Sequence, residues 1–412
     1  MYSLKKFSGD RFTRFNTIIE TYNNIQNSHI NLLACVSYIF PEVTTAMQYP
    51  FCTLPTEGTV NNRYFPLSTY MDNIENIAED LTLKLFNIKT GFKVNIQPHS
   101  GTQANHIAYN AILNENDKVL SLKPANGGHI SHSKIFNGNT EIVYYGLNKN
   151  NEIDYEDMRL VAEQHKPKLI IVGGSSYPRK INYKKVAEIA SACEAYVLAD
   201  ISHMALFIAG GIHENIFPYV DFATFTMEKN LRGPHGGIII YKECFHQKIC
   251  QSIFPYSQGS PIQNMMFGKV IALQMLYDMD IKSYANDVMF NARYMADIFM
   301  NNEIKVVTEG TDSHIVLIDV SNLGFTGKYV EELMENYHIL VNRNLIPNDT
   351  MPPLITSGIR IGATPITNLQ FQKNDIILLT EILVSIIKQG TCNKIKIEEL
   401  ITKYCSNLNI SN

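Results

Sequence analysis

A lysine and an aspartate follow two successive apolar segments of the chain, at positions where polar side chains often do chemistry. Asp200 ends the segment AYVLAD, His203 lies three residues further on, and Lys229 follows the segment FATFT. In an open α/β sheet, ligands bind outside the carboxyl ends of the strands. If the two segments are neighbouring strands, a carboxylate and an amine therefore face the same crevice.

Two glycine-containing segments upstream have the composition to bind the rest of a ligand. In HSGTQAN, Ser100, Gly101 and Thr102 would place backbone N–H groups and hydroxyls at the start of a predicted helix. Such a helix start is a favourable site for an anion, and phosphate is the expected one. In NGGHISH, the glycines allow the backbone to approach a ligand closely, and His129 could stack on a flat ring.

A phosphate site, a stacking ring, an acid and a lysine are together what a pyridoxal 5'-phosphate (PLP) site requires. The lysine forms a Schiff base with the coenzyme, and the aspartate pairs with the pyridine nitrogen. Arg360, in TSGIRIG, could bind a substrate carboxylate through its planar guanidinium. Each residue alone also has an ordinary explanation, as a solvated lysine, a helix cap or a surface arginine. Their joint order along the chain is what favours PLP.

Alternating strand and helix patterns must position these residues. Near-continuous apolar segments without clean alternation predict strands that are covered on both faces. Their alternation with helical patterns predicts a mostly parallel α/β sheet with right-handed crossovers. The predicted strands are 118–122, 141–147, 168–174, 195–200, 222–226 and 237–241, and the predicted helices between them are 104–113, 154–165 and 183–193.

A second, smaller α/β region follows two long helical patterns near residues 265–279 and 284–300. Its predicted strands lie near 314–320, 339–342 and 358–361, and its helices near 327–336 and 374–388. We therefore predict a large domain with an N-terminal arm over residues 1–275 and a small C-terminal domain over residues 276–412.

One helix near the start of the large domain can be predicted in more detail. Four apolar residues of YMDNIENIAEDLTLKLF fall on one helical face: Ile74, Ile77, Leu81 and Leu85. Thr69 and Asp72 have the spacing of a capping pair at its start, and Gly91 lies beyond its end.

Composition limits the classes of partner and the compartment. The 412 residues carry a net charge of −4, which implies no strong attraction to nucleic acid or membrane surfaces. The seven cysteines form no CxxC pair, as expected for reduced thiols in a cytoplasmic protein. We expect no signal peptide at MYSLKKFSGD and no membrane span, because no apolar run is long enough.

Six segments together resemble signature segments of the serine hydroxymethyltransferase family, which are fold-type I PLP enzymes. These segments are NIQPHSGTQAN, GGHISH, HKPKLII, YVLADISHMA, EKNLRGPHGG and TSGIRIGATPIT. The resemblance implies that Lys229 is the Schiff-base lysine, Asp200 the partner of the pyridine nitrogen and His129 the stacking residue. It also implies coenzyme contacts for the following residues: Ser100, Gly101, Thr102, Ser175, His203 and Thr226, and, toward the partner subunit's phosphate, Gly259 and Ser260 of QGSP.

The resemblance assigns the substrate side as well. Glu57, in TEGTVNNRY, matches the catalytic glutamate that moves protons at the substrate hydroxyl near the folate. Arg360 matches the substrate-carboxylate arginine, while Tyr64 and Asn344 match positions near the pteridine or substrate. Cys35 stands where the family has a substrate-site serine. The active unit implied is a homodimer, or a tetramer, in which each site takes residues from its neighbour.

Departures from the family pattern lie mainly around the substrate and folate. Where the family has Ser and Glu near the N-terminus, two tyrosines around the catalytic glutamate, a His before the lysine and an Arg in GPRGG, this chain has Cys35, Val36, Pro55, Phe65, Glu228 and His235. The lost phenols remove donors that would orient substrate groups. We therefore expect PLP and an amino acid to bind, and we treat tetrahydrofolate as a conditional second ligand.

Glu228 and the reaction itself leave alternatives open. The carboxylate of Glu228 could favour the protonated imine, act as a general acid or base, or turn away into a salt link. The main prediction is aldol or retro-aldol chemistry at Cα of glycine, serine or another small β-hydroxy amino acid, as hydroxymethyl transfer or as a folate-independent aldolase or transaldolase. The alternatives are a PLP-dependent aminotransferase, eliminase or decarboxylase, or a non-catalytic PLP-binding homologue.

Overall fold

The computed structural model describes residues 9–133, 140–406 and 408. They form two compact units: Glu42–Asp287, and a second unit made of the described residues up to Pro41 and those from Val288 onward. The predicted boundary at residue 275 therefore lies twelve residues before the observed one at Asp287. The predicted N-terminal arm also divides, because residues before Pro41 pair and pack with the C-terminal part of the chain.

The helices and strands are numbered here in chain order. The helices are α1 (Thr13–Ser28), α2 (Pro41–Met47), α3 (Tyr70–Leu85), α4 (Gly101–Ile112), α5 (Tyr155–His165), α6 (Tyr183–Ala192), α7 (Ala205–Ala209), α8 (His246–Gln251), α9 (Gln263–Asp278), α10 (Ile281–Asn301), α11 (Gly327–Glu335), α12 (Thr364–Asn368), α13 (Lys373–Gln389) and α14 (Lys394–Tyr404). The strands are β1 (Ile30–Asn31), β2 (Gly58–Thr59), β3 (Asn62–Arg63), β4 (Phe92–Asn95), β5 (Lys118–Leu122), β6 (Glu141–Tyr145), β7 (Leu169–Val172), β8 (Tyr196–Asp200), β9 (Phe222–Thr226), β10 (Gly237–Lys242), β11 (Lys305–Val306), β12 (Ile315–Asp319), β13 (Ile339–Leu340), β14 (Asn342–Asn344) and β15 (Gly358–Gly362).

A seven-stranded sheet, in the order β4-β10-β9-β8-β7-β5-β6, is the framework of the larger unit. The run from β9 to β6 is parallel, as predicted, whereas β10 is antiparallel to both of its neighbours. β4 was not among the predicted strands. β8 and β9 are neighbours, with Asp200 opposite Thr224. Asp200 and the segment that leads to Lys229 therefore leave the same edge of the sheet.

The helix α4 packs across this sheet and explains its apolar strands. Its buried residues, such as Ile107, lie in one core cluster with Leu169, Leu198 and Phe222 of three different strands. All four are fully buried. A strand covered on both faces needs apolar residues at successive positions, which is why these segments lack a clean alternation.

The detailed prediction for α3 is partly wrong. Ile77 is 50% exposed, and its place on the buried face is taken by Ala78. Thr69 makes no side-chain cap. Asp72 does not cap either, because its carboxylate accepts a 2.8 Å hydrogen bond from Nε of Arg63. Asp72 thus pairs with the buried guanidinium of Arg63 instead of capping the start of the helix.

A four-stranded antiparallel sheet, in the order β11-β12-β15-β14, organises the second unit. The short strand β1 pairs in parallel with β13, which ties the N-terminal segment to this unit. The predicted helices over 327–336 and 374–388 correspond to α11 and α13. Within the part of the chain that the structure describes, none of the helices has the length and apolar character to cross a bilayer.

Candidate active site

A cavity of about 180 Å³ opens at the carboxyl ends of β8 and β9 in the larger unit. Its lining contains ten residues that the sequence analysis singled out, together with Gly174 and Ser202. The ten are Ser100, Gly101, Thr102, His129, Ser175, Asp200, His203, Thr226, Glu228 and Lys229. The fold thus brings the anion loop, the stacking candidate, the acid and the lysine to one place.

The start of α4 forms one wall of this cavity. Ser100 caps the helix, with its Oγ accepting a hydrogen bond from the backbone N–H of Gln103 at 3.1 Å. A Cβ on Gly101 would lie 2.6 Å from Cγ2 of Thr226, so the close approach of the two segments requires glycine. Oγ1 of Thr226 is buried and has no hydrogen-bond partner among the described residues. A buried hydroxyl beside a helix N-terminus fits a phosphate group.

Asp200 is held on the opposite side by four donors. Oδ2 accepts from Nδ2 of Asn105 at 2.9 Å and from Nε2 of His132 at 3.0 Å. Oδ1 accepts from the backbone N–H and the hydroxyl of Ser202, at 3.1 and 2.6 Å. Burial disfavours the charge, but the hydrogen bond and charge of His132, with the charges of His129 and Lys229, outweigh burial and hold the pKa of Asp200 far below its usual range.

Asn105 connects this acid to the predicted stacking residue. Its amide nitrogen also donates to Oγ of Ser131 at 3.1 Å, and its oxygen accepts from the hydroxyl of Thr224. Nδ1 of His129 in turn accepts from the backbone N–H of Ser131 at 3.1 Å. This contact engages Nδ1 of the ring with the backbone that follows it. The imidazole is therefore fixed in one orientation beside the cavity.

Sequence reasoning missed the residues that support Asp200. Asn105, His132 and Ser202 all lie inside segments that were quoted for other residues: HSGTQAN, GGHISH and YVLADISHMA. Asn105 follows Gly101 by four residues in α4, so both lie on the same helical face. That periodicity was a usable signal for Asn105. No comparable signal pointed to His132 or Ser202, because their hydrogen bonds to Asp200 depend on the tertiary fold.

Lys229 is presented by a tight loop between β9 and β10. The backbone N–H of Met227 donates to the carbonyl of Gly236 at 3.1 Å, and the N–H of Gly233 donates to the carbonyl of Met227 at 2.9 Å. Gly236 has φ +152, a conformation that residues with a side chain rarely adopt. These bonds close the loop at its base, and Glu228 and Lys229 within it line the cavity.

Glu228, beside the lysine, lines the same cavity. Its Oε2 accepts from the backbone N–H of Gly236 at 3.4 Å, and its Oε1 lies 3.7 Å from Nδ1 of His235. The side chain of Glu228 is 20% exposed, whereas that of His235 is 86% exposed. Glu228 therefore borders the cavity and also lies near an imidazole.

A second group of predicted site residues lies in the same unit but outside the cavity lining. Oε1 of Glu57 accepts a 3.3 Å hydrogen bond from the hydroxyl of Ser260, and Gly259 lies beside the same oxygen. Tyr64 is 71% exposed and packs against Phe254, with ring centroids 4.9 Å apart. The structure thus brings Glu57 together with the QGSP segment, outside the lining of the cavity that contains Lys229.

Arg63 positions this second group, and sequence analysis missed it. Its Nη1 donates to the carbonyls of Thr56 and Gly58, on either side of Glu57, at 3.0 and 3.1 Å. Its Nη2 pairs with Glu75 at 2.5 Å. Burial raises the pKa of Glu75, although the charge and hydrogen bonds of Arg63 act against that shift. The backbone around Glu57 is therefore held by a buried guanidinium.

The remaining predicted residues belong to the second unit. Arg360 lies on β15, and its Nε donates to Oδ1 of Asn342 at 3.0 Å. Burial lowers the pKa of Arg360, and Cys35 acts in the opposite direction. Asn344 lies on β14, opposite Gly358, with its Nδ2 donating to the carbonyl of Leu345. Cys35 is exposed.

A comparison with protein-family models places these observations in a known context. The family model described as serine hydroxymethyltransferase matches residues 10–383, which is nearly the whole chain. Members of that family are PLP-dependent transferases of fold-type I. The match confirms the resemblance, the fold class and the kind of enzyme that the sequence predicted.

Proposed function

The chain is a member of the serine hydroxymethyltransferase family, and from this premise we propose that it acts at Cα of a small amino acid by aldol or retro-aldol chemistry. The substrates proposed are glycine, serine or another small β-hydroxy amino acid. The reaction is hydroxymethyl transfer if tetrahydrofolate binds, and a folate-independent aldolase or transaldolase reaction if it does not. The observation that carries the proposal is the ionised, four-fold hydrogen-bonded Asp200 in one cavity with Lys229.

The cavity residues fit PLP. The glycine at the start of α4 and the unpartnered hydroxyl of Thr226 leave room and a donor for a phosphate. The pKa of Asp200 lies far below its usual value, so its carboxylate carries a negative charge. This charge suits the nitrogen of a pyridine ring, because it stabilises a proton there. His129, fixed by Ser131, suits the face of that ring. When bound, PLP supplies an aldehyde for an amine to attack and a ring that accepts electrons from Cα.

Each residue of the chain then has a defined task. Lys229 would hold the coenzyme through its side-chain amine, and the same amine would be the group placed to move a proton at Cα. Asp200 would hold a proton at the ring nitrogen through its negative charge. Glu57 would move the proton of the substrate hydroxyl, and Arg360 would bind the substrate carboxylate.

The placement of Glu57 supports a shared active site in a homodimer. Glu57, Tyr64, Gly259 and Ser260 lie in the unit that holds the cavity but not in its lining. Large apolar side chains of the same unit are exposed: Leu54, Tyr64, Leu67, Tyr256 and Ile262. Covering such residues is a common outcome of subunit association. We therefore assign the Glu57 group to the cavity of a partner subunit, in a dimer or a larger assembly.

The altered substrate side bears on folate. Pro55 and Phe65 provide no phenolic hydroxyl around Glu57, so two donors that could orient the substrate or folate are lost. Retention of Lys229, Asp200 and Arg360 keeps the residues needed for PLP and an amino acid. A cytoplasmic location remains part of the proposal, supported by seven cysteines that are all unpaired.

The first experiment tests coenzyme attachment and then the bond that reacts. The purified protein should take up PLP, and borohydride reduction should leave a pyridoxyl group on Lys229, detected by mass spectrometry of its peptide. Lys229→Ala is the matched control and should carry none. Absence of the modified peptide in the natural protein would overturn the proposal.

The second step supplies glycine with a panel of aldehydes, with and without tetrahydrofolate. Formation of β-hydroxy amino acids is the expected result. A requirement for tetrahydrofolate would assign hydroxymethyl transfer, and its irrelevance would assign aldolase or transaldolase chemistry. Release of a keto acid, ammonia or carbon dioxide instead would contradict aldol chemistry and favour an aminotransferase, eliminase or decarboxylase.

A further inference from the structure

A buried lysine lies behind the cavity wall, and the mechanism above makes no use of it. Lys269, on α9, has 2% of its surface exposed. Among the described residues, no other lysine is buried. A lysine is almost never buried to this degree unless its charge is paired or fully hydrogen-bonded.

The ammonium group of Lys269 uses all of its donors on backbone carbonyls. Nζ donates to the carbonyl oxygens of Ile96, Pro98 and Gly237 at 2.7, 2.8 and 3.0 Å. A protonated lysine has three N–H donors and no acceptor. Three acceptors therefore match the charged form, whereas a neutral amine would turn its lone pair toward one of them.

These three carbonyls belong to the two segments that build the cavity. Ile96 and Pro98 lie between β4 and the phosphate-binding start of α4. Gly237 is the first residue of β10, directly after the loop that carries Lys229. The backbone N–H of Gly237 also donates to the carbonyl of Pro98 at 3.0 Å. Lys269 thus joins both segments at the point where they meet.

Two glycines make room for this junction. A Cβ on Gly237 would lie 2.3 Å from the carbonyl oxygen of Ser100, and a Cβ on Gly236 would lie 2.2 Å from Cε of Lys269. The glycine-rich turn after Lys229 therefore serves two close approaches at once. One is between the turn and the phosphate-binding segment, and the other is between the turn and the buried lysine.

The charged and titratable groups around Lys269 connect it to the cavity. Burial lowers the pKa of Lys269 to about 7, and the charge of Glu228 raises it in part. Burial also lowers the pKa of His99, and the charge of Lys269 lowers it further. His235 faces Glu228 from the loop. Glu228, whose place beside Lys229 departs from the family pattern, thus supplies negative charge toward the buried ammonium.

We propose that Lys269 is a positioning residue that sets the spacing between the phosphate-binding start of α4 and the Lys229 loop, with Glu228 stabilising its charge. The inference rests on the proposed function, because that spacing matters for binding PLP. When the ammonium is present, the three carbonyls are held together and the cavity has the shape that the coenzyme needs. When it is absent, the two segments are joined by fewer bonds.

The direct test is the affinity of the apoprotein for PLP. It is measured from the change in visible absorption when PLP is titrated into the protein at fixed pH. Lys269→Met should weaken binding by about tenfold or more, since a set of charged hydrogen bonds is lost. Lys248→Met, at an exposed lysine of the same unit, should bind like the natural protein. Equal PLP affinity in Lys269→Met and the natural protein would overturn the inference.

A pH series separates positioning from simple structural support. The natural protein should lose PLP affinity as the pH rises through the pKa of Lys269, and folded Lys269→Met should not show this component. If Lys269→Met does not fold, Glu228→Gln decides. Removing its negative charge should move the loss of affinity to lower pH, and an unchanged midpoint would contradict the inference. If the natural protein fails to attach PLP at Lys229, the proposed function itself falls. Attachment at Lys229 with unaltered variants would remove only the role of Lys269.

Discussion

Two carboxylates border the cavity around Lys229, and their surroundings differ. Asp200 is 9% exposed and accepts four hydrogen bonds at distances between 2.6 and 3.1 Å. Glu228 lies on a loop, is 20% exposed and has longer contacts with Gly236 and His235, at 3.4 and 3.7 Å. Asp200 is thus held in one orientation by short hydrogen bonds, whereas the contacts of Glu228 with Gly236 and His235 are longer.

The difference follows from where each residue lies in the fold. Asp200 ends a central strand, so helix α4 and the segment around His132 can pack donors against it. Glu228 follows a strand but lies in a turn, where its backbone must satisfy loop geometry first. This contrast suggests a division of tasks: Asp200 supplies a firmly held charge for the coenzyme, and Glu228 supplies negative charge near the loop and Lys269.

The largest expected effect separates the two acids directly. Asp200→Asn keeps the side-chain shape but removes the charge, so kcat/KM for the amino-acid reaction should fall by about 10²–10³-fold or more. Glu228→Gln is the matched carboxylate-to-amide change and should cost about tenfold or less. Steady-state kinetics with PLP in excess would measure both. Equal losses for the two variants would break the comparison.

Removing a supporting donor of Asp200 tests the rigid side alone. Asn105→Ala should lower the free energy of unfolding of the apoprotein by roughly 2–4 kcal/mol, since its buried partners Asp200, Ser131 and Thr224 each lose one hydrogen bond. Chemical denaturation would measure the change. Asn110→Ala, at an exposed position of the same helix, should stay within about 0.5 kcal/mol. Similar values for both would show that the network does not fix Asp200.

The buried lysine near Glu228 should affect the pH dependence of stability. The pKa of Lys269 is about 7 in the folded protein, below the ordinary value of 10.5. The unfolded state therefore binds more protons between these values, and the free energy of unfolding gains up to about 1.4 kcal/mol per pH unit there. This contribution to stability is complete above pH 10.5, declines as the pH falls and is lost once the pH has fallen through about 7.

Denaturation of the apoprotein across that pH window measures the slope. Lys269→Met should lack this component, while Lys248→Met should keep it. If the free energy of unfolding changed with pH in the same way in the natural protein and in Lys269→Met, Lys269 would have an ordinary pKa in the folded state. That result would contradict the low pKa expected from its burial.

The smallest effect is expected at the imidazole that faces Glu228. His235 is 86% exposed, so His235→Ala should change the free energy of unfolding by less than about 0.5 kcal/mol. PLP affinity should stay close to that of the natural protein, because Lys269 remains in place. A large loss of affinity would transfer to His235 the role assigned here to Lys269.

Much of this arrangement was predictable from the sequence, for a physical reason. Strands covered on both faces give continuous apolar runs, and five of the six strands predicted from such runs form the parallel part of the large sheet. Two of these strands, β8 and β9, lead to Asp200 and Lys229. The prediction failed where local patterns compete with distant partners. Asp72 has the spacing of a cap but binds Arg63, and Ile77 has the periodicity of a core residue but is exposed.

The sequence by itself determined the family, the fold class and the order of the chemical groups along the chain. Each of these depends on residue types and on spacing within short segments. The tertiary structure decided which donors reach Asp200, which residues line one cavity and that Lys269 is buried. Asn105 and Asp200, or Lys269 and Ile96, are far apart in the chain, and they meet because the packing of α4 and α9 brings them together. Helical periodicity places Asn105 on the same face as Gly101, but no local pattern identifies Asp200 as its partner, since burial and hydrogen-bond partners are properties of the assembled fold.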